Sequence, residues 1–202
     1  MDPKVLGTKY DKIAQWWHDG HIASNYGMDQ IKRAISYCSN KRNALDVGCG
    51  SGGRIMKELL ASGFSITGLD VSSQMIEIAR ANHPEVNFLN EDICTWRPSA
   101  KFDFIVAWDS IFHLPFKSQK PVVSRLCAML NNDGILIYSF GNDYGEHENQ
   151  WRDDTFYYST IGITGNLRVI AENNCQCVHL ELDQYPEKHV YIIAKRITPP
   201  SQ

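Results

Sequence analysis

Of the 202 residues, 43% are apolar and 21% charged, and 20 Lys+Arg against 23 Asp+Glu leave a formal net charge of −3. A chain of this size and balance buries a core of its own, which excludes a disordered or collagen-like chain, and without a basic block it is a poor partner for nucleic acid. Uncharged apolar runs, such as residues 104–107, are far short of the ~20 residues of a membrane-spanning helix, and the opening MDPKVLGTKYDKIAQWW lacks the apolar stretch of a secretory leader.

Two helical patterns, residues 10–17 and 29–37, precede any strand and are read as a helical cap over residues 1–40. Residues 43–47 form a short apolar run that feeds a cluster of glycines, and residues 54–60 then set Ile55, Met56, Leu59 and Leu60 on one helical face ending at Gly63. A second strand, 64–69, stops at Asp70; Ser72 and Ser73 start a helix carrying Met75, Ile78 and Ala79 inward until Asn82-His83-Pro84 ends it. Residues 86–89 and the almost wholly apolar 102–108 read as the third and fourth strands, the latter buried on both faces. Helical spacing from Pro121 to Leu130, a turn at 131–134 and a strand at 135–140 follow.

Residues 141–152 are polar and aromatic with no period, so a surface excursion is expected there, with an acceptor-site loop at 142–158. Residues 161–173 are helix-like with Leu167, Ile170 and Ala171 as the apolar face. The strands at 175–182 and 190–194 are joined by residues 183–188, a link too short for a parallel crossover, so the last strand should run antiparallel to its neighbour. Residues 198–202 read as a plain tail. Alternating helices and strands predict one α/β domain over 1–202, doubly wound, with a mostly parallel seven-stranded sheet and its core at 41–196. Six cysteines (Cys38, Cys49, Cys94, Cys127, Cys175 and Cys177) show no C-x-x-C spacing, so neither a metal site nor a disulfide framework is expected, and a reducing cytoplasm is the expected setting. Cys175 and Cys177 share one side of their strand as core thiols.

The strongest local signal is Asp46-Val-Gly-Cys-Gly-Ser-Gly-Gly53, where Gly48, Gly50 and Gly53 satisfy G-x-G-x-x-G between a strand and a helix. Glycines there let the backbone turn tightly and approach a nucleotide-type ligand at a helix N-terminus. Asp46, two residues before the first glycine, would repel a pyrophosphate and attract a sulfonium or ammonium. Asp70 suits a grip on two ribose hydroxyls, a role that fits NAD and other adenosine ligands equally.

With these residues in place, the sequence resembles the class I S-adenosylmethionine-dependent methyltransferases. ALDVGCGSGG (Ala44 to Gly53), ITGLDVS (Ile66 to Ser72), NEDI (Asn90 to Ile93), FDFIVAWDSIFHL (Phe102 to Leu114) and LNNDGILIYSFG (Leu130 to Gly141) occur in that family's order, over roughly residues 40 to 196. The resemblance extends to the small-molecule, quinone-biosynthesis-like branch, which often carries an N-terminal stretch similar to KYDKIAQWW (Lys9 to Trp17). It implies a Rossmann-like fold and S-adenosyl-L-methionine as cofactor. By resemblance, Asp46 and the backbone of Gly48, Cys49 and Gly50 surround the methionyl end, Asp70 holds the ribose, and Val71 and Met75 flank the adenine. Asp92 accepts from the adenine amino group, Ile93 packs on the ring, Trp108 lies near the methyl, and Tyr10 and Trp17 close the site.

Methyl transfer to an O, N or C atom of a small molecule needs chiefly alignment, and His113, with Asp109 as the weaker alternative, is the candidate proton acceptor. His147, Trp151, Tyr157 and Tyr158 are candidates for an aromatic acceptor pocket. Trp108-Asp-Ser-Ile111 stands where base-directed enzymes carry an Asn-Pro-Pro-Tyr-type motif, which argues against methylation of nucleic-acid bases. An NAD-dependent oxidoreductase and a non-catalytic S-adenosylmethionine-binding domain are the alternatives.

Overall fold

The computed structural model describes residues 1–197, so the tail expected at 198–202 lies outside the described residues. Strands β1 (Asn43–Val47), β2 (Ser65–Asp70), β3 (Asn87–Asn90), β4 (Phe102–Ala107), β5 (Leu130–Gly141), β8 (Cys175–Leu182) and β9 (His189–Arg196) form one sheet in the order β3-β2-β1-β4-β5-β9-β8. The first five run parallel, while β9 is antiparallel to both β5 and β8. The short link at 183–188 dictates that reversal, as expected from the sequence. Chain order changes direction between β1 and β4, which opens a crevice beyond their carboxyl ends.

Helices cover both faces. Leu45, Val47, Ile105, Leu136 and Ile192 point to one side, against Val122, Val123 and Leu126 of α6 (Phe116–Ala128) and Val169 and Ile170 of α7 (Gly162–Glu172). The alternate residues Ala44, Phe104, Val106, Ile137 and Ile193 meet Ile31, Ala34 and Ile35 of α3 (Met28–Ser36), Met56 and Leu59 of α4 (Arg54–Ala61), and Ile76 and Ala79 of α5 (Ser73–Asn82). Strand β4 is buried along its whole length. No helix among the described residues is long and apolar enough to cross a membrane.

Several expectations are corrected. The helix expected at 29–37 is part of the core and not of the cap, because its apolar stripe lies against the sheet. The stretch 10–17 is two helices, α1 (Pro3–Asp11) and α2 (Ala14–His21), broken at Lys12 and Ile13, and the break brings the rings of Tyr10 and Trp17 edge to face at 6.0 Å. Helix α6 starts five residues before Pro121, which omits one backbone hydrogen bond while buried Gln119, Val122 and Val123 hold the helix down. In α7 the inward face is Asn166, Val169 and Ile170, and Leu167 is exposed; Asn166 is satisfied there by the Tyr138 hydroxyl and the Gly162 carbonyl.

The excursion at 141–152 and the loop at 142–158 are in fact a β-hairpin, β6 (Tyr144–Trp151) paired with β7 (Asp154–Ile161) in register from Tyr144↔Ile161 to Trp151↔Asp154. Almost every residue of β6 is solvent-facing, so the strand carries no apolar alternation to betray it. The hairpin is fastened through β7: the Gln119 side chain donates to the Ser159 carbonyl at 3.0 Å and to Ile111 at 2.8 Å, and Ser159 Oγ donates to Leu114 at 2.6 Å.

Helix α1 is fixed against the sheet loops. A Cβ at Gly7 would lie 2.5 Å from the Val71 carbonyl oxygen, so the helix backbone touches the β2–α5 loop directly. One turn on, Asp11 Oδ1 accepts from Ser72 Oγ at 2.7 Å and from the Gln74 amide at 3.0 Å, capping α5 from another element. On its other side Lys9 pairs with Asp154 of the hairpin at 2.5 Å.

Candidate active site

One cavity of about 200 Å³ opens beyond the carboxyl ends of β1, β2, β3 and β4. At its floor the amides of Gly48 and Cys49 donate to the Leu69 carbonyl at 2.7 and 3.1 Å, tying the glycine turn to β2. Gly48 has φ +73°, and a Cβ there would stand 2.2 Å from Cβ of Ser110, whose hydroxyl donates to the Val47 carbonyl at 2.7 Å. Backbone alone can line this turn.

Asp70 bridges two loops: its carboxylate accepts from the Gly50 amide and the Ser72 amide, each at 2.9 Å. Burial raises its pKa against the pull of those donors. Asp46 is 3% exposed and makes no side-chain hydrogen bond among the described residues. Burial, reinforced by Asp70, pushes its pKa up to about 7. Asp92 accepts from the Cys94 amide at 2.8 Å and lines the cavity beside buried Ile93 and Met75.

After β4 the chain turns through Trp108 and Asp109, the latter at φ +50°. Trp108 is buried with its Nε1 unpaired, against Gly27 and the rings of Tyr26, His189 and Tyr191. Asp109 Oδ1 accepts from Ser139 Oγ at 2.8 Å and from His189 Nε2 at 3.0 Å, and His189 Nδ1 stands 2.5 Å from Asp183. His113 is 5% exposed; its Nδ1 donates to the Tyr157 carbonyl at 2.8 Å, so Nε2 accepts from the Tyr10 hydroxyl at 3.0 Å. Burial pushes its pKa down to about 4, which keeps the ring neutral. The cap closes the cavity with Tyr10, Trp17 and His21; Trp17 and His21 stack with centroids 4.0 Å apart, and His18 reaches Ser51 of the glycine turn at 3.0 Å.

Asp46, Gly48, Cys49, Gly50, Asp70, Val71, Met75, Asp92, Ile93, Trp108, Asp109, His113, Tyr10 and Trp17 thus all lie on one cavity wall. The acceptor-pocket candidates lie off that wall. His147 is exposed and stacks on Tyr158, Tyr158 touches the back of His113 with ring centroids 4.8 Å apart, and Tyr157 hydrogen-bonds Glu146 and the Phe116 amide. Trp151 packs on Trp16, Trp17 and Phe156. The hairpin turns them outward or behind the cavity wall. Tyr26, Arg54 and Ser110 line the cavity and were missed, as was His189 behind Asp109. Arg54 directly follows the glycine motif, the one signal available for it.

A family profile described as a methyltransferase domain matches residues 44–134. Ubiquinone biosynthesis O-methyltransferase of Actinobacillus pleuropneumoniae serotype 5b is 30% identical over 150 residues, covering 65% of this chain and 62% of the relative, so the match spans about three fifths of that protein's length. Among solved structures, the 1,6-didemethyltoxoflavin-N1-methyltransferase of Burkholderia thailandensis superposes with a TM-score of 0.73 at 15% identity, covering 96% of this chain and 88% of the other. An S-adenosylmethionine-dependent methyltransferase of Clostridium acetobutylicum gives 0.72 at 12% identity, covering 94% and 100%. The matched segment carries the glycine turn and the strand ends that wall the cavity, and the profile, the relatives and the shared fold together support a class I S-adenosylmethionine-dependent methyltransferase.

Proposed function

We propose that the chain, as a single domain over 1–202, transfers the methyl group of S-adenosylmethionine to a hydroxyl of a small-molecule acceptor. The observation that carries this reading is the convergence of Asp46, the Gly48-to-Gly50 turn, Asp70 and Asp92 on one cavity beyond four neighbouring strands. These residues fit a nucleoside bearing positive charge: the turn admits no side chain at Gly48, and Asp46 presents a buried carboxylate without a protein partner. The hydroxyl acceptor follows the ubiquinone-biosynthesis relatives, which are O-methyltransferases. A cytoplasmic setting is part of the reading and is supported by six free thiols.

S-adenosylmethionine supplies, when bound, a methyl group on a positively charged sulfur. Asp70 is assigned to the ribose hydroxyls through the second lone pair on each oxygen, Val71, Met75 and Ile93 to the adenine faces, and Asp92 to its amino group. Asp46 and the backbone of Gly48, Cys49 and Gly50 hold the methionyl end, while Trp108, Tyr10 and Trp17 keep water from the reacting atoms. Alignment of this kind accounts for ~7–11 kcal/mol of barrier in favourable cases.

Asp109 receives the acceptor's proton in this reading, because it lines the cavity just past β4 with the bonds from Ser139 and His189 both on Oδ1, and the Tyr26 phenol stands beside the same carboxylate. His113 holds Tyr10 in place, since its Nε2 lone pair is engaged by that hydroxyl. His147, Trp151, Tyr157 and Tyr158 stiffen the hairpin and the rear of the cavity.

Calorimetric titration with S-adenosylhomocysteine beside NADH tests the cofactor, followed by mass-spectrometric detection of methyl transfer to catechol. Micromolar binding of S-adenosylhomocysteine alone is expected; binding of NADH alone would overturn the reading in favour of an oxidoreductase.

A further inference from the structure

The guanidinium of Arg54 lines the cavity on the side of the cap loop. Its Nε donates to the Tyr26 carbonyl at 2.6 Å, and its carbon lies 5.4 Å from the centroid of the Tyr26 ring. The donors on Nη1 and Nη2 find no protein acceptor, and no carboxylate comes within ion-pair distance, among the described residues. A guanidinium carries five N–H donors in a planar fork whose outer edge matches the two oxygens of a carboxylate. Here one donor fixes the side chain and the fork remains free.

The walls facing Arg54 are acidic. Asp46 on β1 and Asp109 after β4 act on its charge through space, as does the Tyr26 phenol of the cap loop, while burial lowers its pKa. A simple anion would be repelled by these carboxylates. An acid group carried by a ligand that also offers a cation or an O–H donor meets both signs, with Asp46 and Asp109 taking the positive or donating part.

We propose that Arg54 is a carboxylate-binding residue of this cavity, taking the acid group either of the amino-acid tail of the nucleoside or of the methyl acceptor. The inference rests on the proposed function only for what fills the remainder of the cavity. Tyr26 is its positioning residue through the backbone carbonyl, which survives any change of that side chain. Lysine would keep the charge and lose the fork.

The test is calorimetry on the full chain and on Arg54→Gln and Arg54→Lys, with thermal melting to confirm folding. S-adenosylhomocysteine is compared with 5′-methylthioadenosine, which keeps the adenosine thioether and lacks the amino-acid tail. With S-adenosylhomocysteine in excess, 4-hydroxybenzoate is then compared with 4-hydroxybenzamide. Loss of tenfold or more in S-adenosylhomocysteine affinity in Arg54→Gln, with 5′-methylthioadenosine within twofold, supports the proposal and assigns the acid to the nucleoside. Unchanged nucleosides with loss of a preference for the benzoate over the amide support it and assign the acid to the acceptor. Equal weakening of both nucleosides, or no change in any of the four, overturns it. Failure of the unaltered chain to bind either nucleoside would instead strike the proposed function, a distinct result.

Discussion

The Tyr10 hydroxyl donates across 3.0 Å to Nε2 of His113, joining the first helix to the short turn after β4. Nδ1 of the same ring already donates to the Tyr157 carbonyl, so the bond to Tyr10 fixes the neutral tautomer. Tyr10→Phe leaves a buried acceptor without a donor and should destabilise the protein by ~1–3 kcal/mol. Turnover should fall while S-adenosylhomocysteine affinity stays within about threefold. Denaturant unfolding and calorimetry check the two parts, and an unchanged melt would remove the bond from the stability of the cap.

His113 makes stability depend on acid. Its pKa in the folded chain lies near 4, pushed down by burial from 6.5. The native state therefore binds fewer protons than the unfolded chain in that interval. The stabilisation is full above about 6.5 and is lost as pH falls toward 4, in total ~3 kcal/mol. His113→Asn should flatten that part of a stability-against-pH curve measured in urea; a curve identical to that of the parent would count against the neutral buried ring.

Asp46 has the opposite sign. Burial raises it to about 7, so the free protein protonates it below that value. A cationic ligand needs the ionised form, and S-adenosylmethionine affinity should drop about tenfold from pH 8 to pH 6. Asp46→Asn should bind more weakly at pH 8 and show little of this dependence. Titrations at the two pH values decide it, and a flat profile for the parent chain would detach Asp46 from the ligand's charge.

Gly48→Ala meets two obstacles, φ +73° and a Cβ 2.2 Å from that of Ser110. The single substitution should abolish nucleoside binding. Adding Ser110→Gly relieves the contact, removes the hydroxyl's bond to the Val47 carbonyl and leaves the backbone strain of ~1–2 kcal/mol, so binding should return in part, judged against Ser110→Gly alone. Full recovery in the double variant would show that the strain is negligible, and no recovery would show that the contact is not what matters.

For His189, burial would lower the pKa, but its bonds to Asp109 and Asp183 outweigh burial and raise it. Its contribution to stability is complete below about 6.5 and fades as pH rises through the higher folded value. Asp183→Asn should move the ring's titration midpoint down, read from its carbon-bound proton by NMR. A midpoint that does not move would dissolve the pair.

Much of the cavity was legible because strand ends are legible. Asp46 and Asp70 follow apolar runs directly, and parallel winding carries every such end to the same edge of the sheet. Residues that arrive by another route gave no signal of this kind. Tyr26 sits in an aperiodic stretch of the cap, and His189 opens a strand whose register is set by its pairing with β5. The hairpin escaped notice because pairing in β6 is a backbone matter, with its side chains almost all in solvent. Helix α3 was misassigned for a different reason: an apolar stripe announces that a face is buried but not against what, and only the sheet's second face required Ile31 and Ile35.

Because Gly7 leaves no gap above the Val71 carbonyl and Asp11 is spent on the start of α5, the first helix cannot swing away without unpicking the loop that floors the nucleoside pocket. Lys9, held to Asp154, clamps it from the hairpin side. The chain breaks immediately afterwards at Lys12 and Ile13, and the following helix meets the glycine turn through the hydrogen bond between His18 and Ser51 and through Trp17 over Gly50. The break therefore lets one short helix brace the pocket from the side while the next crosses it as a lintel, with Trp17 seated between Tyr10 and Trp151.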